Sequence, residues 1–232
     1  MMGALIARDM RLIARDRRLR VVILGYLFVF LTASVLQCLG MFAAGNLSLN
    51  AGSLFASLAV LQAALLGGLA PWMILHASGL DCGVSLMRLI AGTSAAPWHF
   101  LLGRIVSLGI CFAELLSLSL PVSLLMRLFG AASFLQIAWS LADTFLFLMA
   151  LTLFVLLVSM HGAHWAVSWI LSYLALAVLG LGWVAMASAI DHASITLIFL
   201  LLLVLLGSLL LLRGGRKLVY INETARQDAR WA

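Results

Sequence analysis

The sequence predicts an all-α integral membrane protein with six transmembrane helices, an N-terminal interfacial amphipathic helix and a short cytoplasmic helix between spans two and three. Its composition supports this fold class, because 65% of the residues are hydrophobic and 9% are charged, against roughly 45–50% and about 25% in soluble domains. Six apolar runs are each long enough for the roughly 20 residues that cross a bilayer. Lys and Arg are concentrated near the two chain ends and in one internal segment. These observations exclude an ordinary soluble domain.

The segment 1–20 predicts a helix that lies on the cytoplasmic membrane surface. Its apolar residues recur near helical spacing: Leu5, Ile6, Met10 and Ile13. Arginines and two aspartates fill the remaining surface, and each arginine among anionic lipid headgroups contributes about 1 kcal/mol to membrane binding. The arginines precede the first apolar run, unlike the pattern of a cleavable signal peptide. An alternative interpretation, a plain positively charged anchor, predicts the same orientation.

The apolar runs predict six spans, near residues 21–43, 54–76, 100–126, 134–160, 164–187 and 194–212. Together they form one transmembrane domain, 21–212, which a basic tail, 213–232, follows. With a cytoplasmic N-terminus, every Lys and Arg except Arg127 lies on the cytoplasmic side, as the positive-inside rule requires. We therefore expect a multi-pass protein of the bacterial inner membrane with both termini in the cytoplasm.

The polar elbow, residues 77–99, is the one long connection between the predicted spans. Apolar residues near helical spacing favour a short amphipathic helix over 80–91, and Gly92 is suited to end it. Pro97 is suited to begin the next helix, with Trp98 at the membrane boundary. A simple connection between two helices needs only a few residues. The elbow is therefore long enough to contact another molecule.

Two acidic residues lie inside predicted spans. Glu114 falls near the middle of the third span and Asp143 about a third of the way into the fourth. A charged side chain there costs at least about 2.5 kcal/mol, so both acids should face the protein interior or be protonated. Each has two interpretations: it lines a transport pathway, or it fixes helix packing through a hydrogen bond to a neighbouring span.

Several catalytic classes are excluded by missing motifs. The sequence has no GxxxxGK[ST] phosphate-binding loop, so this chain does not hydrolyse a nucleotide by that route. Gly207-Ser208 has no matching histidine for an intramembrane serine protease. The three cysteines are scattered without metal-binding spacing. We expect no catalytic residues, metal or cofactor in this chain, and energy from a partner or a gradient.

The elbow resembles the coupling segment of type-2 ABC exporter permeases. Residues 86–94, LMRLIAGTS, precede 98–104, WHFLLGR, and family members often have Leu-x-x-Leu-x-x-(Ala/Gly)-Thr-(Pro/Ser) followed by an aromatic, two Leu, Gly and a basic residue. The predicted layout is also similar: an interfacial helix, six spans and cytoplasmic termini. Ser94 stands where the family commonly has proline, and 188–193 is too short for the re-entrant hairpin common before the last span.

The resemblance implies half of an exporter. Two permeases, the second a copy or a homologue, pair within the membrane lipids, and each coupling helix rests on a separately encoded ATPase that binds ATP and Mg²⁺. We expect no nucleic-acid partner, and the resemblance does not identify the substrate. The residues it assigns to this contact are Leu86, Arg88, Leu89, Gly92, Thr93, Trp98 and Arg104. We expect Arg88 to pair with the ATPase, Leu86 and Leu89 to form an apolar underside, and Gly92-Thr93 to act as a hinge.

Three alternatives remain open. Residues 81–86, DCGVSL, are similar to a run in the haem-exporter B subunit of cytochrome c maturation, without its proline-rich continuation. A secondary transporter or channel would favour paired broken helices in two repeats, a pattern that the sequence lacks. A membrane scaffold without transport activity is the third alternative. Association with an ATPase separates the ABC permease from the last two.

Overall fold

A computed structural model describes residues 7, 11, 15–44, 51–77, 97–128, 132–159, 169–180, 195–210 and 212. These ranges are helical and contain no β-strand. The helices are α1 (Arg17–Ala44), α2 (Ala51–Ala77), α3 (Pro97–Ser117), α4 (Leu120–Leu128), α5 (Phe134–Ser159), α6 (Trp169–Gly180) and α7 (Ile195–Leu210). The all-α fold class is thus confirmed for the part of the chain that the structure describes.

Four stretches are long and apolar enough to cross a membrane: Arg17–Gln37, Phe55–His76, Leu101–Leu125 and Phe134–Ser159. They correspond to the first four predicted spans. Helices α6 and α7 are apolar but shorter, and they lie within the predicted fifth and sixth spans. The described residues therefore have the four candidate spans of a membrane-embedded helical protein. Most of the interfacial helix, the elbow from 78 to 96 and the tail from 213 lie outside the described residues.

The predicted third span is divided into α3 and α4. Helix α3 ends at Ser117, and α4 begins at Leu120 with Pro121 in its first turn. Proline has no backbone N–H and its ring clashes with the carbonyl four residues earlier, so a continuous helix is unfavourable here. The Ser119 hydroxyl donates a 2.7 Å hydrogen bond to the Leu116 carbonyl. Hydroxyl groups thus satisfy backbone acceptors at a break that would be costly inside lipid.

Helix α5 lies in the core of the described bundle, against α2 and α3. In the apolar stretch of each candidate span, 61% of the α5 residues are buried, against 22% of the α1 residues. The side chains of Leu148, Leu151 and Val155 are fully buried. Helix α1 therefore lies at the edge of the bundle, and most of its apolar surface faces outward.

Side-chain caps define the starts of α1 and α5. The Asp16 Oδ1 atom accepts a 2.8 Å hydrogen bond from the Arg18 amide at the start of α1. At the start of α5, the Ser133 amide donates to Gln136 Oε1 at 2.8 Å, and the Gln136 amide donates to Ser133 Oγ at 3.2 Å. This reciprocal pair is a capping box. Both caps satisfy amides that have no partner within their own helix.

Candidate functional site

The start of α1 and the end of α2 meet in a cluster of three side chains, Asp16, Trp72 and His76, which we call the α1–α2 junction. The His76 Nε2 and Asp16 Oδ2 atoms are 2.5 Å apart. The His76 ring stacks on Trp72, with centroids 5.0 Å apart and an interplanar angle of 8°. Because His76 lies in the last turn of α2, the junction connects α1 to the residue that precedes the predicted elbow.

Asp16 uses its two oxygens for two different contacts. One caps α1 and the other binds His76. Burial of the Asp16 carboxyl raises its pKa, but hydrogen bonds from His76 and from two backbone amides outweigh burial and hold the pKa below its usual value. The folded protein therefore favours the carboxylate form, which can accept all of these hydrogen bonds.

No local pattern in the sequence predicts the α1–α2 junction. The sequence predicts Asp16 on the polar surface of the interfacial helix, and His76 is the last residue of a predicted span. Aspartate is a favoured helix N-cap residue, but residues 17–20, RRLR, separate Asp16 from the apolar run that begins at Val21, so the start of that run does not identify this cap. Its pairing with a histidine 60 positions away has no local signal.

The predicted ATPase contacts are described only at their C-terminal end. Leu86, Arg88, Leu89, Gly92 and Thr93 lie outside the described residues. Helix α3 begins at Pro97, as the sequence predicted, and this places Trp98 in its first turn. Arg104 is 8% exposed and lies inside the candidate span Leu101–Leu125, so its guanidinium is buried within the bundle.

The two intramembrane acids have different surroundings. Asp143 is 2% exposed, and its Oδ1 accepts a 2.7 Å hydrogen bond from Thr196 Oγ1, which joins α5 to α7. This agrees with the expectation of an interior position. Glu114 is exposed on α3, so it does not face the interior of its own chain. The structure does not bring the two acids into one interior site.

A small cavity lies between α1, α2, α4 and α5, away from the α1–α2 junction. Its volume is about 10 Å³, enough for about one water molecule. Gln62 and Ser123 contribute polar atoms to an otherwise mostly apolar lining. Gln62 also donates a 2.7 Å hydrogen bond to Ser119 at the break between α3 and α4. This cavity accommodates water and is too small for an organic substrate.

The described residues contain no group of three or more His, Cys, Asp or Glu side chains that could hold a metal ion. Comparison with family models, with curated proteins and with solved structures gave no match to this chain. The functional assignment therefore depends on the residues themselves and on their arrangement.

Proposed function

We propose that this chain is the transmembrane permease subunit of an ABC exporter, located in the bacterial inner membrane with both termini in the cytoplasm. It has six spans, pairs with a second permease and is driven by separate ATPase subunits that contact the elbow. The resemblance of residues 86–104 to a coupling segment supports this proposal. Four candidate spans in the described residues are consistent with it.

The α1–α2 junction is the structural observation that carries the proposal. A coupling segment must transmit the movement of an ATPase to the spans, and such transmission requires a packed connection between the two. His76 directly precedes the elbow, stacks on Trp72 of α2 and binds Asp16 at the start of α1. A displacement of the elbow would therefore act on two spans together.

Of the two intramembrane acids, Asp143 is the better candidate for a pathway residue. It lies inside the bundle, and a hydrogen bond from Thr196 orients its carboxyl group. Its hydrogen bond to α7 also fits the packing interpretation. Activity separates the two: an Asp143→Asn variant that folds normally but transports poorly assigns Asp143 to the pathway, whereas lower stability with normal transport assigns it to packing.

Co-purification from native membranes tests the permease assignment. An affinity-tagged chain should retain a protein with an ATP-binding cassette, and the complex should hydrolyse ATP. Arg88→Glu should weaken this association, whereas Arg213→Glu, a matched charge reversal in the tail, should not. Gly92→Val should preserve the association and lower substrate-stimulated hydrolysis, because a β-branched residue stiffens the proposed hinge.

The absence of an ATPase from the purified wild-type complex, together with transport driven by an ion gradient, would assign the chain to secondary transport. If the purified complex contains no ATPase and the chain mediates no transport, a scaffold is favoured. Equal ATPase association by wild type, Arg88→Glu and Arg213→Glu would remove the elbow from the coupling mechanism.

A further inference from the structure

Glu114 occupies an unusual position on the surface of the single chain. It lies near the middle of the candidate span Leu101–Leu125, and it is exposed. Ionisable residues at this depth of a membrane almost always face protein or a water-filled cavity, because acyl chains offer them no hydrogen bond. The exposure of Glu114 therefore indicates a surface that another polar group covers.

The residues around Glu114 form a continuous outward face of α3. They recur at intervals of three and four positions, which places them along one side of a helix: Leu102, Val106, Ile110, Ala113 and Ser117. All are exposed, and Glu114 lies at the edge of this stripe. We call these six residues the α3 face.

Two small residues make the α3 face suitable for close helix packing. Ala113 and Ser117 are four positions apart, and small residues at this spacing allow membrane helices to approach closely. The Ser117 hydroxyl already donates a 2.7 Å hydrogen bond to the Glu114 backbone carbonyl. The Glu114 carboxyl is therefore the group on this part of the face that is suited to a contact with a partner.

We propose that the α3 face is covered by the α3 face of a second copy of this chain, with the two Glu114 carboxyl groups hydrogen-bonded to each other across the two-fold axis. This inference rests on the proposed pairing of two permeases and names the surface that pairs.

Symmetry argues for a second copy. Two chains with the same membrane topology are related by an axis perpendicular to the membrane, so every residue near the axis meets its counterpart at the same depth. A copy thus presents a carboxyl group at the depth where Glu114 needs a hydrogen-bonding partner. Two carboxyl groups in contact can share one proton, which avoids placing two negative charges together.

The outward face of α1 lacks this feature. It is the least buried candidate span, and large apolar side chains such as Leu24 and Phe28 are 65% and 72% exposed. The exposed residues between Val21 and Gly40 include no ionisable group. Acyl chains can cover such a surface without loss of a hydrogen bond, so exposure of α1 does not by itself require a partner.

Disulfide cross-linking in native membranes tests the α3 face. In a variant with Cys38, Cys82 and Cys111 replaced by alanine, single cysteines are introduced as Ala113→Cys, Ser117→Cys and, as controls on α1 and α7, Val35→Cys and Val204→Cys. The control positions are 56% and 69% exposed. After oxidation, we expect a cross-linked dimer from the two α3 variants and little from the controls. Cross-linking at the controls that equals or exceeds α3 would overturn the assignment.

The role of the carboxyl is measured by the monomer–dimer equilibrium of the purified protein in detergent. Glu114→Ala should raise the dimer dissociation constant by about threefold to tenfold. Glu114→Gln should change it less, because an amide pair also hydrogen-bonds. A wild-type dimer that Glu114→Ala leaves unchanged contradicts the carboxyl contact.

The outcomes separate this inference from the proposed function. Dimers that cross-link through α1 or α7, with ATPase binding intact, leave the permease proposal in place and reject the α3 face. A chain that stays monomeric in the membrane rejects both the pairing and this surface. If the Ser117→Cys variant cross-links in native membranes only to a different protein, and the purified chain is a monomer, the α3 face binds that protein and a second copy is rejected.

Discussion

Thr196 donates a hydrogen bond of 2.7 Å to the buried carboxyl group of Asp143 and so joins α7 to α5. Asp143 is 2% exposed and lies within the candidate span Phe134–Ser159. A buried hydrogen bond contributes only modestly to the free energy of unfolding, but removing one partner leaves the other buried and unsatisfied, which costs more. This bond is therefore a sensitive point for stability in the described bundle.

We predict that Thr196→Val lowers the free energy of unfolding by about 1–2 kcal/mol, because it removes one hydrogen bond from a buried carboxyl at nearly constant volume. The thermal midpoint of the purified protein in detergent measures this change. Thr196→Ser retains a hydroxyl and serves as the control. Equal midpoints for the serine and valine variants would show that the bond contributes nothing.

The α1–α2 junction should make stability depend on acid pH. The hydrogen bonds of Asp16 lower its pKa from 3.8, so in acid the unfolded chain binds a proton before the folded chain does. The stabilisation by Asp16 is therefore fully present above about pH 4 and is lost as the pH falls below the folded-state pKa. Thermal midpoints between neutral and acid pH should fall more steeply for wild type than for Asp16→Asn, and parallel profiles would contradict this.

Gly67 lies at a close contact between α2, α5 and α6. A Cβ atom at this position would be 3.0 Å from both Leu176 Cδ1 and Phe147 Cε1, whereas one at Gly68 would meet nothing within 4 Å. Each change from glycine to alanine favours the helix by the same amount. The difference in stability between the two variants therefore measures the packing at Gly67. We predict that Gly67→Ala is less stable than Gly68→Ala by about 1 kcal/mol or more. Thermal midpoints measure this, and the reverse order would contradict the contact.

Reporter fusions test the predicted topology. Fusions after Ala232 and within 91–96 should be cytoplasmic, and a fusion within 46–50 should be on the outside, because Lys and Arg are retained on the cytoplasmic side. Alkaline phosphatase and a fluorescent protein that folds in the cytoplasm distinguish the two locations. An external signal at Ala232 would contradict six spans.

Within the described residues, the sequence by itself determined where the apolar helices lie, although it predicted one span where the structure has α3 and α4. The predicted spans 54–76 and 134–160 correspond to α2 at Ala51–Ala77 and α5 at Phe134–Ser159, and Pro97 begins α3 as expected. The physical reason is that lipid offers no hydrogen bonds to the backbone, so a long apolar run must form a helix that satisfies its own amides and carbonyls.

Only the tertiary structure decided which way the side chains of those helices face. In a membrane, lipid and the protein interior are both apolar, so hydropathy does not separate the outward from the inward side of a span. For this reason the sequence placed Glu114 and Asp143 in the same class, whereas the structure exposes Glu114 and buries Asp143 against Thr196. The contact between Asp16 and His76 likewise depends on how α1 and α2 pack, because their 60-residue separation leaves no local pattern to predict it.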